Sequence, residues 1–204
     1  MGKGFLGNLL KRPSRYRARH FRRREAMRTD YLRLADSLLT HLPFDSVVDV
    51  GCANGFLLEV FAGAGKRIEG VELSAAVVDL LATEVRPFVR IGDFATLEGR
   101  WDLTCCVEVA EHIPPRRSLE LVETLTEAAV RWIFFTAAPP GQGGRGHINC
   151  RPHSEWLAEF SLRGWVADEA RTDAVRRDLE RLERATWLRA NGFVLAPAAI
   201  ATSQ

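Results

Sequence analysis

The stretch VVDVGCANG at residues 47–55 decides the fold of this chain. A short apolar run ends in a turn bounded by Gly51 and Gly55, and the apolar pattern of residues 56–61 then predicts the start of a helix. Such short apolar runs are typical of buried parallel strands. Ligands of open α/β sheets bind where strand ends meet helix starts, so this turn is the predicted ligand site.

A second carboxylate lies at a fixed distance from the turn. The next predicted strand, residues 67–72, ends in Glu72, 21 residues after Gly51. An acid at this distance is placed over the ribose of a bound nucleoside. Ala53 stands where a dinucleotide-binding turn has its second glycine, and its methyl group would meet a pyrophosphate. The turn therefore favours a nucleoside cofactor without phosphates.

The D-x-G-x-x-x-G pattern from Asp49 to Gly55, followed by Glu72, resembles the first motif of class I S-adenosylmethionine-dependent methyltransferases. The resemblance covers residues 46–198 and implies an α/β fold, a Rossmann-like doubly wound sheet of seven strands, mostly parallel with an antiparallel last strand. It implies S-adenosylmethionine (SAM) as the cofactor. The residues expected to bind it are Asp49, Gly51, Cys52, Ala53, Gly55, Glu72, Leu73, Asp93, Phe94 and Glu108.

Each part of the cofactor has expected partners. Glu72 is expected to bind the ribose, whereas Asp49 orders the turn and the amino end of the methionine moiety. In the resembled family, an acid and an apolar residue after the third strand contact adenine, which here are Asp93 and Phe94. A carboxylate can accept the exocyclic N–H of adenine while an aromatic ring offers its face to the base.

The rest of the chain predicts further elements in the order of this fold. The remaining strands are expected at residues 87–91, 102–109, 131–137, 165–167 and 192–196. Helices are expected before Pro43, at residues 74–84 with Ser74 as N-cap, at residues 115–130, around Trp156 and at residues 172–189. Only residues 95–100 join the third and fourth strands, which is too short for a full crossover helix.

Composition and charge limit the classes of protein. At 204 residues and 47% hydrophobic content, the chain can bury a sizeable core in one domain. We expect a basic helical segment at residues 1–43 to cover the cofactor pocket of a methyltransferase domain at residues 44–204. Residues 1–28 hold ten Lys and Arg residues against the single acid Glu25. This segment predicts either contact with phosphate or another anion, or a solvated helix face.

Cysteine usage and hydropathy indicate where the protein works. The four cysteines form no C-x-x-C pair, which is typical of a reduced, cytoplasmic protein without a zinc site. No apolar run approaches the roughly 18 residues of a membrane span, and the N-terminal apolar patch is too brief for a signal peptide. We therefore expect no membrane association, and nothing in the pattern indicates an oligomeric state.

Candidate catalytic groups follow the fourth strand. Glu108, Glu111 and His112 form an E-x-x-E-H segment there, and His147 follows the glycine-rich residues 138–146. A hydroxyl acceptor needs a general base or a metal at neutral pH. We expect His112, His147 and Glu111 to be catalytic, because chemistry in such sheets occurs at the carboxyl ends of the strands.

The E-x-x-E-H segment also resembles that of ubiquinone-pathway O-methyltransferases and small-RNA 3′-terminal 2′-O-methyltransferases, where it holds a metal. Its oxygen-rich ligands favour Mg²⁺ or Mn²⁺, with Glu108, Glu111, His112 and His147 as the ligands. The same letters occur in metal-free relatives, so no metal is favoured.

Three functions are consistent with the sequence. The first is O-methylation of a small molecule, neutral or anionic, such as a sugar, a glycan or an intermediate of antibiotic or other secondary metabolism, because no added substrate domain is expected. The second is RNA 2′-O-methylation, based on the arginine-rich segment and E-x-x-E-H. The third is an inactive cofactor-binding subunit whose arginine-rich segment docks on an acidic protein.

Overall fold

The structure, a computed structural model, describes residues 18–198, and from residue 21 onward their side chains as well. Its strands form a single sheet in the order β3-β2-β1-β4-β5-β7-β6. They are β1 (Ser46–Val50), β2 (Arg67–Glu72), β3 (Val89–Ile91), β4 (Trp101–Val107), β5 (Ala129–Thr136), β6 (Trp165–Ala167) and β7 (Phe193–Pro197).

Seven α-helices cover the two faces of the sheet within the described residues. They are α1 (Ala18–Arg24), α2 (Arg28–His41), α3 (Phe56–Gly63), α4 (Ser118–Ala128), α5 (His153–Ser161), α6 (Glu169–Asp178) and α7 (Trp187–Asn191). Among these residues, no helix is both long and apolar enough to cross a membrane. The cytoplasmic location stays a prediction.

The sheet confirms the predicted fold class. β1 pairs in parallel with β2 and with β4, whereas β7 runs antiparallel to both β5 and β6. Strand order therefore reverses between β1 and β4, and the carboxyl ends of these strands are where such sheets bind ligands. All five residues of β1 are buried, as expected for an apolar central strand.

Two apolar layers fill the space between helices and sheet. Phe21, Leu34 and Leu38 from α1 and α2 pack with Phe61 of α3 and Phe134 of β5 on one face. On the other face, α4 and α5 pack against the buried side chains of Cys106 in β4 and of Ile133 and Phe135 in β5. The expected helix before Pro43 is confirmed as α2. The predicted boundary between an N-terminal segment and a methyltransferase domain at residue 43 stays a prediction.

The predicted helix at residues 74–84 is wrong. The chain forms two short 3₁₀ turns instead, Ala75–Leu80 and Arg86–Phe88, and the Ser74 side chain makes no cap hydrogen bond. β-Branched valines weaken helix propensity in this segment. Leu81 and Val85 are buried beside Gly55, so packing onto the glycine turn decides the path of this connection.

The predicted helix at residues 172–189 is also wrong as a single element. α6 ends at Asp178, and α7 begins only at Trp187. Between them, the buried carboxylate of Asp30 accepts the backbone N–H groups of residues 183, 184 and 185 at 3.1, 2.7 and 2.7 Å. Those N–H groups bind a side chain instead of helix carbonyls, so the helix is interrupted.

Other element ends shift by a few residues. β4 stops at Val107 instead of residue 109, because Glu108 has a left-handed backbone with φ +55°. α4 is shorter than predicted, since Pro115–Arg117 form a 3₁₀ turn and Ala129 already belongs to β5. The expected short connection before β4 is confirmed, with Phe94–Thr96 as its one 3₁₀ turn.

Asp30 provides a test of this long-range contact. Burial alone would raise the pKa of Asp30, but the backbone N–H groups of residues 183–185 lower it overall. Asp30→Ala leaves these donors without their acceptor, so we expect a loss of about 1–3 kcal/mol in the free energy of unfolding at pH 7. Urea unfolding measures this loss, with the exposed Asp36→Ala as the matched control.

The same substitution has a defined pH dependence. A carboxyl group whose pKa is lowered in the folded state stabilises the protein above its unfolded pKa of about 3.9. This stabilisation disappears as the pH falls through the lower, folded pKa. The difference between wild type and Asp30→Ala should therefore be constant from pH 7 to about pH 5 and shrink below about pH 4. An equal difference at all of these pH values would contradict the role of the ionised carboxylate.

Candidate active site

The turn after β1 is built by backbone geometry. The Gly51 N–H donates to the Val71 carbonyl at 2.7 Å, and the Gly55 N–H donates to the Cys52 carbonyl at 2.8 Å. Gly51 and Gly55 have φ of +77° and +72°, and Ala53 is also left-handed at +46°. A Cβ at Gly51 would lie 2.4 Å from a methyl carbon of Val109. Close packing therefore requires glycine at this position.

Glu72 joins this turn to the end of β2. One carboxylate oxygen accepts the Ala53 N–H at 3.1 Å, and the other accepts the Ser74 N–H at 2.8 Å. Burial raises the pKa of Glu72, and these N–H groups oppose that rise. The carboxylate is thus oriented by two segments of backbone at the carboxyl edge of the sheet, where a ribose is predicted.

Asp49 lies buried beneath the same turn, with 3% of its surface exposed. Burial raises its pKa to about 7, and the nearby Arg24 opposes this rise. Arg24 comes from α1, donates to the Tyr31 hydroxyl at 2.8 Å and lies over the Tyr31 ring. A narrow cavity here is lined by Arg24, Tyr31, Asp49, Gly51, Cys52, Asn54, Phe56, Leu57 and Val107.

The predicted adenine side is organised by a residue without a sequence signal. Arg117 donates to both carboxylate oxygens of Asp93 at 2.7 and 2.8 Å and lies over the Phe94 ring. Burial alone would raise the pKa of Asp93, but Arg117 and the Ala95 N–H lower it overall. Leu73, next to Glu72, has 64% of its surface exposed. The adenine contact of Asp93 stays a prediction, with Arg117 as its positioning partner.

Glu108 stands at the switch between the two halves of the sheet. Its N–H donates to the Thr136 hydroxyl at 2.9 Å, which holds the left-handed residue against β5. Its carboxylate accepts from Asn191 at 3.2 Å and from Gln142 at 3.4 Å. Asn191 also donates to the Gln142 side-chain oxygen at 3.0 Å. Glu108 thus connects β4 to α7 and to the glycine-rich loop.

Glu111, His112 and His147 converge as the sequence predicts. One candidate ligand atom from each lies within 4.8 Å of the other two. Glu111 is fully buried, and among the described residues no hydrogen bond of ordinary geometry reaches its carboxylate oxygens. Burial and the neighbouring Glu108 raise the pKa of Glu111 to about 8. Glu108, the fourth predicted ligand, is outside this cluster of three.

The two imidazoles differ in their surroundings. Burial lowers the pKa of His112 to about 4, so this ring is neutral near pH 7. The Nδ1 atom of His147 lies 3.1 Å from the Gln142 carbonyl, which requires an N–H at that nitrogen. The Nε2 atom of a neutral His147 therefore carries the lone pair, and it lies 4.0 Å from a Glu111 oxygen.

Some residues of the site could not be identified from the sequence. Asn191 and Gln142 are ordinary polar residues in sequence, and only the folded chain brings them to Glu108. Arg24 and Arg28 belong to the arginine-rich segment, and both are engaged inside the protein. Arg24 binds Tyr31, and Arg28 forms an ion pair with Glu59. The earlier part of that segment lies outside the described residues.

The comparisons with known proteins agree with this geometry. The family described as "Methyltransferase domain" matches residues 18–142. This range is more than half of the chain and contains the glycine turn, Glu72 and the E-x-x-E-H segment. The chain belongs to the class I SAM-dependent methyltransferase family.

Particular relatives are similar over part of their length. The chain is 34% identical over 166 residues to a ubiquinone biosynthesis O-methyltransferase of Paraburkholderia phymatum, covering 76% of this chain and 67% of that protein. It is 32% identical over 106 residues to the Paraburkholderia phytofirmans protein of the same name, covering 47% of this chain and 45% of that protein. The chain thus spans about half the length of most curated relatives that it matches.

A solved structure shows the same fold. The structure of magnesium protoporphyrin IX methyltransferase from Synechocystis PCC 6803, with bound S-adenosylhomocysteine (SAH), is similar to that of this chain, with a TM-score of 0.61. The sequence identity is 18%, and the match covers 84% of each chain. At this identity the likeness concerns the fold alone.

Substitutions at two glycines distinguish the effect of a steric clash from the effect of backbone conformation on stability. Gly51→Ala places a methyl group against Val109, whereas Gly65 has a similar φ of +73° and open space around its Cβ position. We expect Gly51→Ala to lower the melting temperature clearly more than Gly65→Ala, since overpacking adds about 1–3 kcal/mol to the backbone strain. Differential scanning fluorimetry of both variants measures this. Equal melting temperatures would contradict the close packing of the turn.

Proposed function

We propose that this protein is a SAM-dependent O-methyltransferase acting on a small molecule. The observation that carries this proposal is the shared position of two groups at the carboxyl edge of the sheet. Glu72 is oriented by backbone N–H groups for a ribose, and Glu111, His112 and His147 form a cluster of titratable groups at the same edge of the sheet. The family to which the chain belongs supports SAM as the cofactor.

The cofactor would be held by groups already in place. Glu72 accepts the ribose hydroxyls, and the N–H groups and small residues of the glycine turn let the nucleoside approach the backbone. Asp49 lies toward the methionine end, where its carboxylate suits a cationic amino group. Arg24 lines the same narrow cavity and suits the methionine carboxylate. Leu73 offers exposed apolar surface to the adenine.

Methyl transfer needs an acceptor oxygen freed of its proton. The oxygen lone pair attacks the methyl carbon, the bond from that carbon to sulfur breaks, and the hydroxyl proton goes to a base. Nε2 of His147 is the best-prepared base, because the Gln142 carbonyl fixes the proton on Nδ1. His112 is a weaker base, since burial lowers its pKa to about 4.

The same cluster fits a divalent metal by the chemistry of its donors. Glu111 is a buried carboxylate with a raised pKa, which a cation would stabilise in its ionised form. Its two imidazole neighbours are His112 and His147. The Nδ1–H group of His147 donates a hydrogen bond to a backbone carbonyl, as the second nitrogen of a metal-bound histidine commonly does. Mg²⁺ or Mn²⁺ held there would lower the pKa of the acceptor hydroxyl. Our proposal does not favour the metal over the base.

A compact acceptor is favoured over RNA. Arg24, which lines the pocket, and Arg28 bind Tyr31 and Glu59 and are not presented to a phosphate backbone. The names of the relatives from Paraburkholderia likewise denote O-methylation of a biosynthetic intermediate. A sugar, glycan or secondary-metabolite hydroxyl therefore remains the proposed class of acceptor.

Cofactor binding tests the role of Glu72. We expect Glu72→Gln to weaken binding of S-adenosylhomocysteine (SAH) at least about tenfold. An amide has only one oxygen, so it cannot accept hydrogen bonds from the ribose hydroxyls and from the backbone of the turn with two oxygens, as the carboxylate does. Isothermal titration calorimetry measures the dissociation constant. Glu69→Gln is the matched control, since Glu69 lies on the same strand and is paired with Arg90. SAH binding that is unchanged in Glu72→Gln would reject this site.

Turnover tests the role of His147. We expect His147→Asn to lower kcat about 10²- to 10⁴-fold while SAH affinity stays unchanged, as is typical for loss of a general base. His41→Asn, at the far end of α2, is the control. Transfer of a radiolabelled methyl group from SAM to a metabolite extract provides the readout. Undiminished transfer by His147→Asn would remove this residue from the mechanism. If the wild-type protein binds SAH in calorimetry but transfers no methyl group in this assay, the inactive subunit is favoured.

Exhaustive chelation separates the base from the metal in the same assay. If the cluster acts by proton transfer alone, EDTA leaves the wild-type rate unchanged. A loss of activity that Mg²⁺ or Mn²⁺ restores would instead assign the cluster to a metal. The signal of free Mn²⁺ in electron paramagnetic resonance gives a readout of binding that does not depend on activity.

A further inference from the structure

A second concave site lies on the surface formed by α6 and α7. An open groove of about 520 Å³ between α6 and α7 is lined by Asp173, Arg176, Arg177, Thr186, Arg189 and Ala190. Three guanidinium groups against one carboxylate give this groove, which we name the arginine groove, a net positive charge. Its volume is in the range of small-molecule sites.

One of these arginines is held in a fixed orientation. The guanidinium carbon of Arg176 lies 4.8 Å from the centre of the Phe193 ring. Its Nε atom is buried and has no hydrogen-bond partner within the described part of the chain. Stacking on an aromatic ring keeps the planar guanidinium rigid, which is how arginine binds carboxylate or phosphate with two parallel hydrogen bonds.

The other arginines are only partly neutralised. Arg189 forms an exposed ion pair with Glu180 at 3.0 Å, which contributes little and is readily exchanged. Among the described residues, neither Arg176 nor Arg177 has an acidic group within 4.0 Å that would form an ion pair. Asp173 is the one acid that lines the groove. An anion entering the groove would therefore gain two free cationic partners.

The arginine groove shares structural elements with the candidate active site. Phe193 begins β7 opposite Phe135, near the carboxyl end of β5, so Arg176 reaches the same edge of the sheet as the Glu111 cluster. Ala190 lines the groove, and its neighbour Asn191 donates to the Glu108 carboxylate at 3.2 Å. α7 thus contributes to the groove with one residue and to the site with the next.

We propose that the arginine groove binds an anionic group of the acceptor, a phosphate or a carboxylate, that is remote from the methylated hydroxyl. This inference rests on the proposed function, because it assigns the groove to the acceptor of that reaction. It narrows the proposed acceptor class to small molecules that carry an anionic group. The arginines would set specificity without contacting the reacting atoms.

Binding of inorganic phosphate tests the groove directly. The full-length protein is saturated with SAH and titrated with inorganic phosphate by calorimetry. We expect Arg176→Gln/Arg177→Gln to weaken phosphate binding at least about tenfold, and the exposed Arg177→Gln alone to weaken it several-fold. The control is Arg131→Gln, near the amino-terminal end of β5, which should bind phosphate as the wild type does. Equal binding by all four proteins would overturn the proposal.

Further arms identify the source of the anion. Tighter binding of glycerol 3-phosphate than of vesicles of phosphatidylglycerol supports a free small-molecule anion, and the reverse order overturns it. In the labelled-methyl assay with a metabolite extract, the product should be retained on an anion-exchange resin. Arg177→Gln should raise KM for that extract with kcat unchanged. A neutral labelled product would overturn the assignment to the acceptor.

The two proposals fail separately. Lack of SAH binding by the wild-type protein would defeat the proposed function, whatever the groove binds. SAH binding together with phosphate binding that is insensitive to Arg176 and Arg177 would defeat the groove assignment alone.

Discussion

The double contact of one buried carboxylate organises the cofactor half of this protein. Glu72 ends β2 and accepts N–H groups from Ala53 in the glycine turn and from Ser74 in its own strand extension. A buried carboxylate is costly unless its oxygens are hydrogen-bonded, so the turn and the strand end must both keep their positions. The Gly51 N–H bond to Val71 ties the same two segments by their backbones. The edge of the sheet is therefore held by several hydrogen bonds where a nucleoside is proposed to bind.

Local patterns predicted the parts of the fold that depend on local chemistry. β2 was predicted with its observed bounds, and the glycine turn and α2 followed from apolar runs and helical spacing, whereas the antiparallel direction of β7 was implied by the family resemblance. The errors concern segments whose path is decided by distant residues. Asp30 interrupts a helix more than 150 residues away, at Glu183, through three backbone hydrogen bonds. No window around residues 172–189 contains that information, and the same holds for the packing of Leu81 on Gly55.

The candidate catalytic cluster shows the same division. The E-x-x-E-H segment places Glu111 and His112 next to each other in sequence, so their proximity was predictable. The approach of His147 was predicted only from its position after β5, and the structure brings it within 4.0 Å of Glu111. The groups that hold Glu108 and His147 carry no sequence pattern, because Gln142 and Asn191 become significant only when the loop and α7 fold over Glu108. Polar residues that position others are difficult to recognise before the fold is known.

The two sides of the candidate site have opposite electrostatic character. Asp49 and Glu72 lie on the proposed cofactor side, where their carboxylates suit a cofactor with sulfonium and ammonium groups and Arg24 suits its carboxylate. Arg176 and Arg177 lie on the proposed acceptor side. Charges of opposite sign at the two ends of a cleft favour one orientation of two oppositely charged ligands and disfavour their exchange. A cationic cofactor and an anionic acceptor would thus each be attracted to their own side. The methylated product keeps its anionic group. Because it and SAH rely on separate sets of charges, the two would dissociate independently of each other.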